Sequence, residues 1–457
     1  MVFFRVPLPV ISLAWGKKVA ATLTVLVYSV TSHLSWLQFI VVVYIVFEIS
    51  FYVLEWFRFI HIDRTPNVPP DRVRMLAAMQ NFQTEIPDSV ISIDEFLSGW
   101  FHGAKVSDIP IENMKEFVSY GFYCRKPEEL TQDERQQVDY FLKETAARWN
   151  MAFKRGYDET LSFKGHTLEP LRALHKPLIF YFFMEILAIF CHLVLLAWGF
   201  RRNRTVNQDS RDTVTTWTKQ RRSGREPIVF LHGVGLGILP YLHFIRSLLH
   251  SCKDRTIIVV EMPHVSLRTS IEAPCLDILA DDITKSVHGK ATFIAHSYGT
   301  FVVSKMLHKY PDLVGSVVLL DPVTLLTCHP TLLSNFVYIK LPKRFPRSRN
   351  DIMQIIQFIC MRDLTLSQTF CRKFNGMEVM LWPMDMPKGR KHIIVVSGRD
   401  KLLPAEGIRK QFQPCIDSGQ VELLYHEKLE HGGLLFDRKW MQTIVKSIEQ
   451  LCRDDTF

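Results

Sequence analysis

Paired cysteine spacings are missing from this sequence. Its nine cysteines, at 124, 191, 252, 275, 328, 360, 371, 415 and 452, are odd in number and form no C-x-x-C pair. That excludes a disulfide framework or a cysteine zinc site and leaves reduced, mostly buried thiols, which suit a body facing the cytosol. No A-x-A cleavage site follows the first apolar run, which is also far too long for a signal peptide, so it reads as a retained anchor. No Lys closes the one glycine-rich turn as a P-loop would require, and its spacing matches only part of G-x-G-x-x-G. Zinc-finger and RNA-stacking signatures are absent as well. Acidic residues are the scarcer sign, 46 against 55 Lys and Arg, for a net charge of +9. Much of that excess flanks apolar segments, at Lys17, Lys18, Arg58, Arg64, Arg201, Arg202, Arg204, Arg221, Arg222 and Arg225. Such placement fits anionic lipid headgroups rather than nucleic acid. The expected partner is therefore a membrane, with no nucleic acid, no metal and no cofactor.

What is present divides the 457 residues into five stretches. Residues 1–61 read as the N-terminal anchor. The apolar run Val19 to Phe57 would be ~58 Å long as one helix, about twice the hydrocarbon core. The polar break Ser32-His33-Leu34-Ser35 leaves two readings: a hairpin dipping into one leaflet, or one span near 34–57 preceded by an interfacial helix. Residues 62–176 read as a polar helical region. Asp71 caps a helix with Val73, Leu76 and Met79 near one face. Ser92 precedes the apolar Phe96, Leu97, Trp100 and Phe101. Thr131 and Glu134 form a capping box before Val138, Phe141, Leu142, Thr145 and Trp149. His102 and Asp108 read as core or surface residues rather than a catalytic pair. Residues 177–200 read as a transmembrane helix, in which Glu185 must face protein or water. Its flanks are basic on both sides, so orientation stays open, although the endoplasmic reticulum or a lipid droplet suits the expected integral membrane protein. Residues 201–226 read as a basic linker with an edge strand over 213–218.

From 227 to 457 short apolar runs alternate with helical patterns: 228–231, 257–261, 292–296, 316–321, 393–397 and 421–425. Alternation of this kind predicts an α/β fold, a parallel sheet wrapped by helices. An insertion over 322–390 breaks it and reads as a lid. The stretch Ala295-His296-Ser297-Tyr298-Gly299 has the form of a strand-to-helix turn that lifts a serine off the sheet, with Ala where G-x-S-x-G has its first Gly. The turn His232-Gly233-Val234, after the first of these strands, lets backbone approach a reacting carbonyl. The Val234 and Tyr298 N–H groups are the candidate oxyanion donors. Asp400 follows one later strand and His431 another. In the order Ser297, Asp400, His431, the histidine takes the serine proton and the carboxylate orients it. Asp321, at a strand end, is the alternative acid.

Over residues ~205–457 the set FLHGVGLG, AHSYG, VVLLDP, SGRDKLLP and EHGG resembles the α/β-hydrolase superfamily. The resemblance implies a serine-hydrolase fold with a lid over the active site. A serine at the elbow speaks against epoxide and haloalkane hydrolysis. With the membrane segments, the expected activity is cleavage of a lipid or other hydrophobic ester. An acyltransferase using the same triad and a non-catalytic membrane scaffold are the alternatives. Oligomeric state is not legible.

Overall fold

The computed structural model describes residues 35–454, except 66, 87–89, 91, 205–213, 222–223, 343–344 and 347–348. They fall into two units, divided after Arg58. Most of the first unit's described part lies in helix α1 (Trp36–Arg64), 29 residues without interruption. At 1.5 Å per residue it is about 44 Å long. No residue of its most apolar window is buried. The expected arm before the polar break lies outside the described residues.

The second unit opens with helices that begin where their caps dictate. Asp71 accepts from the Arg74 N–H at the start of α2 (Arg72–Thr84). Ser92 accepts from Glu95 at α3 (Ile93–Trp100). After α4 (Ile111–Tyr123), Thr131 and Glu134 exchange both capping-box bonds at α5 (Gln132–Arg148). These bonds satisfy N–H groups that the helix itself cannot. The buried face of α2 is Met75, Ala78, Met79 and Phe82, whereas Val73 is 75% exposed and Leu76 37%. The expected face is thus corrected by about a third of a turn, because Met75 and Phe82 pair with Met79 at the i, i+4 and i+3 spacing that helices bury together. Phe82 packs on Phe96, Phe141 and Trp149, which closes α2, α3 and α5 around one aromatic cluster.

A single eight-stranded sheet follows, in the order β1-β2-β4-β3-β5-β6-β7-β8. The strands are β1 (Arg201–Arg204), β2 (Thr215–Lys219), β3 (Ile228–Leu231), β4 (Ile257–Glu261), β5 (Ala291–His296), β6 (Val314–Leu320), β7 (His392–Ser397) and β8 (Val421–His426). From β4 to β8 along the sheet every pairing is parallel, whereas β1–β2 and β2–β4 are antiparallel, so β2 alone runs against the rest. The central strands are buried on both faces, which is why they read as unbroken apolar runs. The supposed basic linker therefore holds two strands. Arg201–Arg204 escapes a hydropathy reading because an edge strand is commonly charged; here Arg202 stacks 5.7 Å over the Trp217 ring of β2. Residues 322–390 pack on the 62–176 helices. Trp100 Nε1 donates to the Cys328 carbonyl at 3.0 Å, and the Leu174 N–H donates to the Arg362 carbonyl at 2.8 Å.

The apolar helix α6 (Leu178–Ala197) lies along this body. Tyr181, Met184, Cys191 and Leu195 are buried. Tyr181 Oη donates to Asp363 at 2.8 Å, Arg268 donates to both oxygens of Glu185, and His192 bonds Glu261 at 2.8 Å. Glu261 also accepts from Trp217 Nε1 at 3.1 Å. Burial raises the Glu261 pKa less than His192, Arg268 and Trp217 lower it, to about 2. The carboxylate thus stays charged and joins α6 to the sheet. Removing Arg268 takes the one guanidinium shared by Glu185 and Glu261. Arg268→Ala should cost about 3 kcal/mol, as expected for breaking a buried pair. Arg409→Ala, at the exposed Glu406 pair, should cost about 1 kcal/mol or less. Thermal unfolding of the two variants side by side checks this.

Candidate active site

The turn after β5 is sharp because Ser297 sits at φ +51°, in the left-handed region that non-glycine residues avoid. Its N–H donates to the Leu320 carbonyl at 3.0 Å, which ties the turn to β6. Helix α7 (Gly299–Lys309) starts against β3. A Cβ on Gly299 would lie 2.8 Å from the Leu231 carbonyl oxygen and 3.0 Å from that of His232. At 295 a methyl is accommodated: Ala295 is fully buried between Leu231 and Leu319. The substitution in the motif thus leaves the turn intact, whereas Gly299 is fixed by backbone on the facing strand.

Three side chains from separate loops converge here. His431 Nε2 lies 2.9 Å from Ser297 Oγ, and His431 Nδ1 lies 2.6 Å from Asp400 Oδ2. The Leu402 N–H donates to the other Asp400 oxygen at 2.7 Å, which aims the carboxylate at the ring. Asp321 does not take the ring nitrogen. At φ +42° and fully buried, it accepts from the Ser397 N–H at 2.9 Å, from Ser397 Oγ at 3.1 Å and from the Gly432 N–H at 2.8 Å. It therefore secures the loop beside His431 while Asp400 holds the imidazole. Ligand atoms of Asp321, Asp400 and His431 lie within 4.8 Å of one another. Both His431 nitrogens are already engaged, so the cluster offers a metal no free imidazole.

Burial disfavours a charged His431, but Asp400 and Asp321 outweigh it and raise the pKa to about 9. Burial likewise raises Asp321, to about 6, against the pull of His431.

The turn after β3 is shaped from behind. His232 Nδ1 donates to the Gly233 carbonyl at 2.7 Å while Nε2 accepts from the Met262 N–H at 3.0 Å, which fixes a neutral tautomer. Burial lowers its pKa accordingly. The Gly233 N–H donates to Tyr241 Oη at 2.9 Å, so Tyr241 donates onward to His296 Nδ1 at 2.7 Å. The His296 proton then sits on Nε2, 3.9 Å from Asp321. A Cβ on Gly233 would meet Ser297 Cβ at 2.8 Å. The Gly233 N–H is therefore engaged, which leaves the neighbouring N–H groups of Val234 and Tyr298. Neither is paired with an acceptor among the described residues.

A family model described as alpha/beta hydrolase fold matches residues 226–354. This chain has the α/β-hydrolase fold. Among solved structures it is similar to a bacterial membrane phospholipase A described as a virulence factor, at 12% identity and TM-score 0.43, covering 61% of this chain and 94% of that one. It is similar to a lipase from Acinetobacter baumannii, at 12% and 0.42 over 59% and 96%. Carboxylesterase CesB from Bacillus subtilis aligns at 11% and 0.41 over 58% and 97%. No curated protein matches.

Beyond the hydrolase sheet, a cleft of about 860 Å³ opens at His431, lined also by His102, Lys164, Glu169, Tyr338 and Lys401. Sequence reasoning did not bring these residues together, because His102, Lys164 with Glu169, Tyr338 and Lys401 come from four separate segments. His102 faces Tyr338 in this cleft, whereas Asp108 pairs with Lys154 elsewhere. A second cavity, apolar and about 90 Å³, lies between the α3–α5 helices and the insertion. It does not touch Ser297, but Phe374 on its wall packs on Phe370, which packs on Tyr298.

The fit at the elbow is testable by volume alone. Gly299→Ala should lose about 1–3 kcal/mol through overpacking. Gly121→Ala, in α4 with nothing within 4 Å of its Cβ, should be neutral or gain up to about 1 kcal/mol. Denaturant titration of both variants measures the difference.

Proposed function

We propose that the protein is a serine hydrolase that cleaves a carboxylic ester at a lipid surface. The observation that carries this reading is the continuous relay Asp400–His431–Ser297, set beside two unengaged N–H groups. Ser297 Oγ attacks the ester carbonyl as His431 Nε2 accepts its proton. Asp400 keeps the ring's Nδ1 proton in place and stabilises the imidazolium. The Val234 and Tyr298 N–H groups receive the developing oxyanion. His431 then returns the proton to the departing alcohol. Water, activated by the same nitrogen, releases the acyl group and frees Ser297. An alcohol in place of water would make the enzyme an acyltransferase, with unchanged residue roles. A pure scaffold has no use for so complete a relay.

The lipid surface is supported by two helices long and apolar enough to cross a membrane. For α6 the packing favours an in-plane position. Its polar side chains meet Asp363, Arg268 and Glu261 along its length, so a full lipid annulus is impossible. Ile179, Phe182, Phe183, Ile186, Ile189, Phe190, Leu193 and Leu196 are at least 45% exposed on the opposite side. A helix with one apolar face and one protein-bound face sits in the headgroup–acyl boundary.

A fluorophosphonate probe should label the wild-type protein and not Ser297→Ala. Unlabelled wild type defeats the enzyme reading. Asp400→Asn should lower kcat by about 10³–10⁴-fold, and Asp321→Asn by much less. Because the His431 pKa is raised, the base keeps its proton at neutral pH. The pH profile of kcat/KM should therefore climb with pH to a midpoint near 9. Asp321→Asn removes one of the charges that raise it and should move that midpoint down. Added alcohol that diverts acyl groups faster than hydrolysis would show the transferase instead.

A further inference from the structure

The cleft at His431 carries an imbalance of charge that the ester chemistry does not use. Its walls hold four cations, Lys164, Arg172, Lys340 and Lys401, against two carboxylates, Glu169 and Glu430. Both carboxylates are taken. Arg172 pairs with Glu169 at 2.6 Å, and Lys401 with Glu430 at 3.8 Å. Among the described residues no carboxylate lies within ion-pair distance of Lys164 or Lys340. Lys340 is exposed at the rim, whereas Lys164 is only 7% exposed. Its ammonium donates to the Gly99 carbonyl, and no charge offsets its burial. The pKa of Lys164 is lowered by burial alone. Nearby His102 is lowered first by burial and next by Lys164; Glu169 opposes this, and Lys340 and Arg172 add to it. A buried cation without a counter-ion costs several kcal/mol unless something compensates it. Here the missing charge borders open space beside the reacting centre.

Building on the ester-hydrolase reading, we propose that this cleft binds a phosphate group of the substrate through Lys164 and Lys340. The ester cleaved then belongs to a phosphate-bearing molecule and not to a neutral glyceride. Two ammonium groups without carboxylates match the charge of a phosphate monoester better than that of a single carboxylate. Lysine is also a point-charge donor that meets phosphate without requiring a planar fork. The phosphate sits on the alcohol side of the ester or comes from a soluble phosphate ester. The chemistry is shared, and the source is decided by experiment.

The test uses the full-length protein in neutral detergent as Ser297→Ala, so binding is read without turnover. Titration calorimetry is run with inorganic phosphate, with glycerol 3-phosphate, and with mixed micelles containing dioleoyl phosphatidate or dioleoylglycerol. Phosphate and phosphatidate should bind, and dioleoylglycerol should bind at least about tenfold more weakly than phosphatidate. Adding Lys340→Gln should weaken the phosphate ligands about tenfold, the loss expected for one charge-assisted contact. Because Lys340 is exposed, that variant should keep the parent's melting temperature; Lys164→Met is the second, buried probe. Binding of the soluble phosphates without preference for phosphatidate supports the site with a soluble source. Equal binding of phosphatidate and dioleoylglycerol, together with no phosphate binding, overturns it. So does phosphate binding that neither lysine variant weakens. Fluorophosphonate labelling of the wild type runs in parallel: labelling without phosphate binding rejects the anion site and leaves the serine hydrolase standing.

Discussion

The site depends on one close approach, that of Gly299 to the carbonyl oxygens of Leu231 and His232. It lets α7 begin directly on top of β3, and so requires the chain to reverse within three residues after β5. The reversal places Ser297 at φ +51°, a conformation that costs a non-glycine residue about 1–3 kcal/mol. The surroundings hold it there. The Ser297 N–H is bonded to β6, Gly233 leaves no room for the serine to move back, and His431 meets the hydroxyl from the front. The same approach brings the turn after β3 beside the serine, with Gly233 against Ser297.

The two acids divide a task that the sequence leaves undecided between them. Each follows a strand and each can be imagined orienting a histidine. Asp400 follows β7 on a turn and reaches Nδ1 of the ring. Asp321 ends β6 and reaches only the backbone beside the ring. Its burial and strained φ are compatible with a structural post: it bonds Ser397 at the end of β7 and Gly432 next to His431, so it fixes the spacing of the two loops that must meet. Its charge still matters to His431, because both carboxylates stabilise the imidazolium. A proton relay with one acid in contact and a second one behind it is biased toward the protonated base.

Local chemistry was legible and long-range assembly was not. Caps at Asp71, Ser92 and Thr131 are decided by a side chain three residues from the N–H it bonds, and all three helices start there. Six strands of the sheet were visible as apolar runs, and in β3 to β7 this is because both faces are covered. The order Ser297, Asp400, His431 was visible because each residue follows such a strand. Arg201–Arg204 was not visible as a strand, since nothing in four polar residues records that Trp217 will lie beneath them. The face of α2 was misplaced for the same reason: Val73 and Met75 are equally apolar, and only the neighbouring helices choose between them. The cleft was the least legible part. Lys164 becomes informative only when residues 62–176 fold onto the 322–390 insertion, which places it beside His431.

That folding changes the meaning of the helical region. Trp100, Leu174 and Asn375 tie it to the insertion through backbone carbonyls, and a Cβ on Gly99 would collide with Pro330. Contacts this close leave no water layer, so the two segments form one cap made from stretches more than a hundred residues apart in sequence. The cap supplies the polar wall of the cleft on one side and the apolar cavity on the other. Leu333 lines the cavity and Ser334, the next residue, lines the cleft. Adjacent residues of one turn thus face an apolar space and a charged one, so the fold of the cap, and not the local sequence, sorts them.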